Sequence, residues 1–468
     1  MRNTHPIDIA IDTHRDDLTA MADRVWGTPE LLYQEVASCA EHTAMLKAKG
    51  FRVTETVAGI PTAVMGEAGE GGPIIAILGE YDALPGLSQV AGIDTPQELV
   101  KDGNGHGCGH NLLGAAALLA ACAVKDWLEE TGTPGRVRYY GCPAEEGGAA
   151  KTFMVRDGAF DGVDAAITWH PDSMTRVSDP IFLANTRVDF TFTGRASHAA
   201  MSPHLGRSAL DAVELMSVGV NYMREHMVQD ARIHYAYLDA GGKAPNVVQA
   251  RAKVRYSIRA LKSADMLALV ERVKDVAKGA ALMTGTQVEA KIFSAVSSMQ
   301  ENLTMDRTMQ RVLDEIGGVP FDDQDRDYAA RIQATLTETD ISLPYRIANM
   351  KPRFDVSLAD WVVPLRPGGE VLTGSTDVCD VSQVVPLTQL QCATMAIGTP
   401  LHSWQATAQG KSGQAHKGMT HAGLAMARCA QLLITEPETI AAAKAEQAER
   451  LAEEPYVCPM PPEVMPPV

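Results

Sequence analysis

Apolar residues at helical spacing open the chain. Ile7, Ile11, Leu18, Met21 and Val25 mark one face of a helix that Trp26-Gly27-Thr28-Pro29-Glu30 breaks. A second helix is expected over about 35–49, ending at Gly50 in the C′ position. Residues 51–57 read as a strand, and 62–65 and 73–78 as strands around a glycine-rich turn at 66–72. The run Ile74-Ile75-Ala76-Ile77-Leu78 is apolar without a break, as in a strand covered on both faces. Residues 112–127 form an apolar helix, and 136–141 and 165–169 are further short strands. This β/α alternation predicts an α/β fold: a sheet with helices on both faces. In such sheets chemistry collects at the carboxyl ends of strands, where Asp82, Glu145, Glu146 and His170 fall.

The pattern changes over 187–294. Val188, Phe190 and Phe192 alternate with polar residues, and a helix spans 208–227. Strands follow at 233–238 and at 252–260, where Ala252, Val254, Tyr256, Ile258 and Ala260 alternate with a basic face carrying Arg251, Lys253, Arg255 and Arg259. Ser263 is expected to cap a helix to about 283, with a last strand at 287–293. The order β-α-β-β-α-β is the ferredoxin-like α+β arrangement, inserted at 187–294 between the segments 1–186 and 295–468 of a larger domain. From 295 to 400 only a helix near 304–315 is legible. An amphipathic helix covers 417–433, and the tail from 440 is a helix running into a Pro-rich end expected to be disordered.

At 468 residues the chain exceeds one ordinary core. A net charge of −17 argues against nucleic acid or an anionic membrane surface. No uninterrupted run of about 18 apolar residues predicts a membrane span, and no signal-peptide pattern is read at the N-terminus. The eight scattered cysteines suit a reducing, cytoplasmic compartment.

One cysteine differs: Cys108 lies in Gly105-His106-Gly107-Cys108-Gly109-His110-Asn111. On an extended segment, Cys-x-His points both side chains the same way. Thiolate and imidazole suit zinc, or manganese, nickel or cobalt. The adjacent carboxylates Glu145 and Glu146 can divide the work, one binding metal and the other taking a proton from the attacking water. His170 alone would read as a structural histidine, but it follows an apolar strand, where a ligand would sit.

These stretches occur together with Gly-Glu-Tyr-Asp-Ala-Leu-Pro (79–85), Pro-Ala-Glu-Glu-Gly-Gly (143–148), Gly-Arg-Ala-Ser-His-Ala (194–199) and Pro-Asn-Val-Val (245–248). The set resembles metallopeptidase family 20, in its branch of auxin-conjugate hydrolases and aminoacylases. Gly-Ser-Thr-Asp-Val (374–378), His402-Ser403-Trp404-Gln405 and Ala415-His416-Lys417-Gly418-Met419 extend the resemblance over nearly the whole chain.

The resemblance implies a metallo-amidohydrolase with two divalent ions per subunit, zinc or manganese. Cys108, His110, Glu146 and His170 become ligands, Cys108 in the bridging position. The last ligand is His402, with His416 its rival. Glu145 becomes the general base, and Asp82 orients a ligand. Glu80 departs from the His or Asp of related branches, so its role stays open. The inserted segment becomes a dimerisation domain, from which His198 reaches the oxyanion in the partner subunit. Asn246 and Arg259 become the groups that hold a substrate carboxylate. The implied substrate is an N-acyl amino acid or dipeptide-like amide with a free carboxylate, such as an aroyl or indolyl conjugate of glutamate or aspartate. Deacylation of small acyl groups and dipeptide cleavage are alternatives. The implied assembly is a homodimer, or a hetero-oligomer with a paralogous chain. Two rivals stand beside this reading: a cysteine hydrolase with Cys108 as nucleophile, and a subunit that depends on its partner for activity.

Overall fold

The computed structural model describes residues 5–178, 182–368 and 374–468. The strands are β1 (Arg52–Glu55), β2 (Val64–Glu70), β3 (Ile74–Glu80), β4 (Gly135–Cys142), β5 (Ala165–Asp172), β6 (Thr175–Val177), β7 (Ala184–Thr193), β8 (Arg232–Asp239), β9 (Arg251–Ala260), β10 (Gln287–Val296), β11 (Val362–Val363) and β12 (Leu387–Ala393). The α-helices are α1 (Pro6–Trp26), α2 (Val36–Ala48), α3 (His110–Thr131), α4 (Ala150–Arg156), α5 (Ala209–Met223), α6 (Ser263–Thr284), α7 (Leu303–Ile316), α8 (Asp323–Gln333), α9 (Glu338–Ile347), α10 (Val378–Val384), α11 (Trp404–Gln409), α12 (Gly413–Thr435) and α13 (Pro437–Glu453).

The larger sheet runs β1-β2-β4-β3-β5-β12-β6-β11. Its centre is parallel: β3 pairs with β4 and β5, and β5 with β12. The unbroken apolar character of β3 follows from two coverings. Ile75 and Ile77 face a core built with α1, α3 and α12, while Ile74, Ala76 and Leu78 face another that includes α4 and α10. Helix α3 is long and apolar enough to cross a bilayer by length and composition, but it is a core helix with 89% of its apolar window buried.

The second sheet has the order β10-β7-β9-β8, antiparallel throughout, with α5 and α6 packed on it. This is the ferredoxin-like arrangement. Ala252, Val254, Tyr256, Ile258 and Ala260 supply its buried face.

Several local expectations are corrected. β2 runs through the stretch read as a glycine turn, because Val64 to Glu70 pair with Gly141 to Gly135 on β4. The glycines there answer to packing: a Cβ on Gly66 would come 2.4 Å from Leu46, and one on Gly69 2.2 Å from the Gly135 carbonyl. Ser263 is the first residue of α6, whose cap is Lys262, and its hydroxyl pairs with that of Ser298. Helices α8 and α9 went unread although each opens on a capping box, Asp322/Asp325 and Thr337/Asp340; aspartate replaces the usual Glu or Gln at the third position.

The Pro-rich end is packed rather than disordered. Met460 is buried, Arg156 donates to the carbonyls of Pro461 and Val464, and the Tyr456 hydroxyl donates to the buried carboxylate of Asp380 (2.9 Å). Asp380 also accepts from Thr152 on α4 and from Ser297, so the tail closes a polar knot between α4, α10 and β10. Truncation after Glu453 is expected to lower the thermal midpoint by about 2 °C or more, read by calorimetry; an unchanged midpoint would show that the tail contributes nothing.

Candidate metal centre

Because β3, β4 and β5 are parallel neighbours, their carboxyl ends share one rim. Glu80 ends β3 beside Cys142 at the end of β4, and Asp82 and the Glu145-Glu146 turn follow them. His170 lies on β5 itself, which continues to Asp172 because β12 pairs with it that far. The glycine loop is not an extended segment. Cys108 sits in a turn, and Gly109, with φ 79, reverses the chain so that His110 opens α3. The glycines of this loop leave no room for a side chain: a Cβ on Gly105 would lie 2.0 Å from the Leu87 carbonyl oxygen. The downstream segment docks on the same loop through the His402 N–H, which donates to the Gly107 carbonyl (2.8 Å). His402 itself has φ 60, a strained conformation for a non-glycine residue.

Among the described residues three sets of donor atoms result, each with all members within 4.8 Å of one another. Cys108, His110 and His170 form the first, with Cys108 Sγ 3.3 Å from His170 Nε2. Cys108, Glu146 and His402 form the second, with His402 Nε2 3.4 Å from a Glu146 oxygen. Glu80, His110 and Glu145 form the third. The sulfur of Cys108 is common to the first two. His416 points elsewhere, its Nε2 lying 2.9 Å from Asp23 on α1. His106 is buried with Nε2 3.1 Å from the Val25 carbonyl, a structural contact.

The donors fit divalent metal. His110 Nε2 and Glu146 Oε1 are buried without a hydrogen-bond partner, an arrangement that a cation relieves. Asp82 orients both sets: one oxygen lies 2.9 Å from His110 Nδ1, leaving Nε2 for coordination, and the other accepts the Glu146 N–H (2.9 Å). The electrostatics separate the adjacent carboxylates. Burial, with Glu80 and Glu146 alongside, pushes Glu145 well above the usual carboxylate range. Burial also opposes charge on Glu146, but His402 and His110 hold it below its ordinary value. Burial raises the Cys108 thiol strongly, which disfavours a free thiolate nucleophile.

Three positioning groups are not signalled by the sequence. Lys151 on α4 is fully buried, with Nζ 2.6 Å from both Glu80 and Asp377. Glu35 accepts from the N–H groups of Tyr33 (3.0 Å) and Ala144 (2.9 Å), bracing the acidic turn, and the Tyr33 hydroxyl donates to the Gly148 carbonyl. Arg187 on β7 reaches toward the Gly147 carbonyl (3.4 Å). None carries a local motif; apart from Tyr33, which is next but one to Glu35, their partners lie 40 to 226 residues away in sequence.

On the second sheet, His198 is exposed. Its Nδ1 accepts from the N–H groups of Ala200 and Met201, which puts the ring proton on Nε2. Asn246 lies beside it, its carbonyl accepting the Ala199 N–H (2.9 Å). Arg259 does not join them. It pairs with Asn185 at one end of the sheet, whereas the Thr193–Arg251 pair, which leads to His198 and Asn246, is at the other. Eight residues of strand separate the ends by about 26 Å.

Residues 76–363 match the profile of peptidase family M20/M25/M40. The chain belongs to this family. Over 98% of its length, and 98% of the relative's, it is 45% identical to the B chain of the p-aminobenzoyl-glutamate hydrolase of Escherichia coli. It is 28% identical to the A chain of the same hydrolase over 54% of this protein and 59% of that one. Among solved structures, a dinuclear metal-binding M20 peptidase of Bacillus subtilis shares the fold, with a TM-score of 0.55 and 20% identity over 91% of this chain and 99% of that one. M20 membership makes the protein a metallo-hydrolase of amide bonds and sets aside the cysteine-hydrolase reading.

Glu35 offers a pH test. Burial, with Asp82 nearby, raises its carboxyl to about 8. The folded state therefore holds a proton that the unfolded state releases above about pH 4.5, so this group's contribution to stability falls as pH rises toward 8. Glu35→Gln keeps an oxygen acceptor for both N–H groups and should gain stability relative to wild type across that window. Denaturant unfolding at several pH values checks this; parallel pH profiles for the two proteins would refute it.

Proposed function

We propose that this M20 hydrolase cleaves the amide bond of N-acyl amino acids with a free carboxylate, with aroyl-glutamates of the p-aminobenzoyl-glutamate type as its first substrates. The observation that carries this is the pair of donor sets sharing Cys108, with Glu145 beside them, in a chain that matches the B chain of the p-aminobenzoyl-glutamate hydrolase end to end. In this reading Cys108, His110, Glu146, His170 and His402 would hold zinc or manganese ions, which would supply Lewis-acid polarisation of the carbonyl and a lowered pKa for the attacking water. Glu145 takes the water's proton and returns it to the leaving nitrogen. Its high proton affinity suits the second half of that cycle. Asp82 keeps the His110 ring and the Glu146 turn in register.

The catalytic segments are 1–186 and 295–468, and 187–294 is a dimerisation domain. Arg259 and the His198–Asn246 pair lie toward opposite ends of β9, ends that are about 26 Å apart, which supports a shared site, with one protomer's metal centre completed by the partner subunit's His198 and the partner subunit's Asn246. β8 is an edge strand with exposed Tyr235, Tyr237 and Leu238, and α5 exposes Leu215, Val218 and Tyr222, a surface suited to a second copy. The Nε2–H of His198 then donates to the tetrahedral oxyanion, worth about 3 kcal/mol of barrier. Arg259 and Asn246, from different protomers, hold the substrate carboxylate. A second reading is favoured by the relatives' names: the active form pairs this chain with a paralogous A-type chain. All eight cysteines are free, as suits the cytoplasm.

The test is a hydrolysis screen of p-aminobenzoyl-glutamate, other N-acyl amino acids and dipeptides with metal-loaded protein. Aroyl-glutamate turnover that chelation abolishes and metal restores is expected. Activity confined to dipeptides or N-acetyl substrates would overturn the specificity, and activity only after mixing with an A-type chain would favour the hetero-oligomer. Glu145→Gln should lower kcat by about 10²–10⁴-fold with metal content unchanged; full turnover would remove Glu145 from its role.

A further inference from the structure

Glu80 in the third donor set, and the buried charges Lys151 and Asp377 behind it, have no part in the mechanism above. Glu80 is 2% exposed and Lys151 fully buried. Lys151 Nζ holds one Glu80 oxygen at 2.6 Å. Asp377 holds Lys151 twice, by Nζ (2.6 Å) and by backbone N–H (2.9 Å). Asp377 stands at the N-cap position of α10 without a side-chain capping bond and lies in the Gly-Ser-Thr-Asp-Val stretch. The second Glu80 oxygen is left facing the His110 ring, 3.4 Å from Nε2.

That distance is informative. A charge-assisted N–H···O bond is about 2.7–2.9 Å long, and His110 Nδ1 lies at such a distance, 2.9 Å, from Asp82. The 3.4 Å on the other side of the ring is too long for a bond of that kind. It equals the edge of a tetrahedron whose ligands stand about 2.1 Å from a central ion, about 3.4 Å. The Glu146–His402 pair has the same 3.4 Å separation. Glu80 also belongs to a donor set with His110 and Glu145, all within 4.8 Å of one another.

We propose that Glu80 is an oxygen ligand of the ion bound by His110, and that Lys151, itself fixed by Asp377, is the positioning residue that presents it. The inference rests on the metal-centre reading and deepens it. Glu80 enters from the side of the ring turned toward Glu145, opposite Asp82's hold on Nδ1. A carboxylate there adds an oxygen donor to the sulfur and nitrogen donors of the centre. Lys151 also explains how a third carboxylate stands beside Glu145 and Glu146: a buried ammonium between Glu80 and Asp377 compensates the added charge.

The test is a crystal structure of the full-length protein soaked with MnCl2, using manganese anomalous scattering. A Glu80 oxygen within about 2.3 Å of an ion supports the proposal. Ions present with both Glu80 oxygens beyond about 3 Å overturn it and leave the metal centre standing, whereas the absence of bound ions overturns the metal centre itself. Independently, Mn²⁺ titration followed by electron paramagnetic resonance should show Glu80→Gln losing more than about 100-fold in affinity for one ion and little for the other. That exceeds the roughly 10–100-fold typical of an outer-shell partner, and an unchanged titration refutes the assignment. Lys151→Met should weaken the same ion by about 10–100-fold; weakening of the other ion instead would refute its positioning role.

Discussion

The two oxygens of Asp82 organise this protein. One fixes the imidazole of His110 and the other the backbone N–H of Glu146, so a single buried carboxylate ties the glycine loop to the acidic turn. Both contacts require that Asp82 follow β3 directly, between the outputs of β4 and β5, which the parallel pairing of the three strands guarantees. The helices on either face of the sheet keep that rim dry enough for one hydrogen bond to decide which ring nitrogen is free.

Such a rim gathers negative charge. Glu80, Asp82, Glu145, Glu146, Asp377 and Glu35 all lie at or just behind it, most of them buried. The fold answers with different devices. Lys151 pairs with Glu80 and Asp377, backbone N–H groups at Tyr33 and Ala144 steady Glu35, and His402 faces Glu146. Glu145 has no such partner among these contacts, and burial beside other carboxylates raises its proton affinity. This asymmetry between neighbours in sequence suits one carboxylate to ligation and the other to proton transfer, the roles proposed for them.

Much of the fold was legible because it rests on periodicity. The apolar run of β3, the alternation of β9 and the helical stripe of α1 each mirror a burial pattern that a local period encodes. The misreadings have local causes. Glycines at 66 and 69 signal a turn in sequence but serve close packing in β2. The prolines of the tail suggest disorder, yet Met460 and Tyr456 anchor it to groups far away in the chain.

The sequence by itself determined which residues are candidates for the chemistry and the elements beside them: Cys108 and His110 before a helix, Glu145-Glu146 after a strand, His170 after another. It also made His402 and His416 rivals without deciding between them. Only the tertiary structure brings His402 to Glu146 and turns His416 toward Asp23, since that choice depends on how α12 packs against α1. Only it reveals Lys151, Glu35 and Arg187, whose roles come from partners distant in the chain. It also shows Arg259 at the opposite end of the sheet from His198 and Asn246. The reason is physical: a period reports which face of an element is buried, whereas coordination and charge compensation depend on distances between elements that no local pattern records.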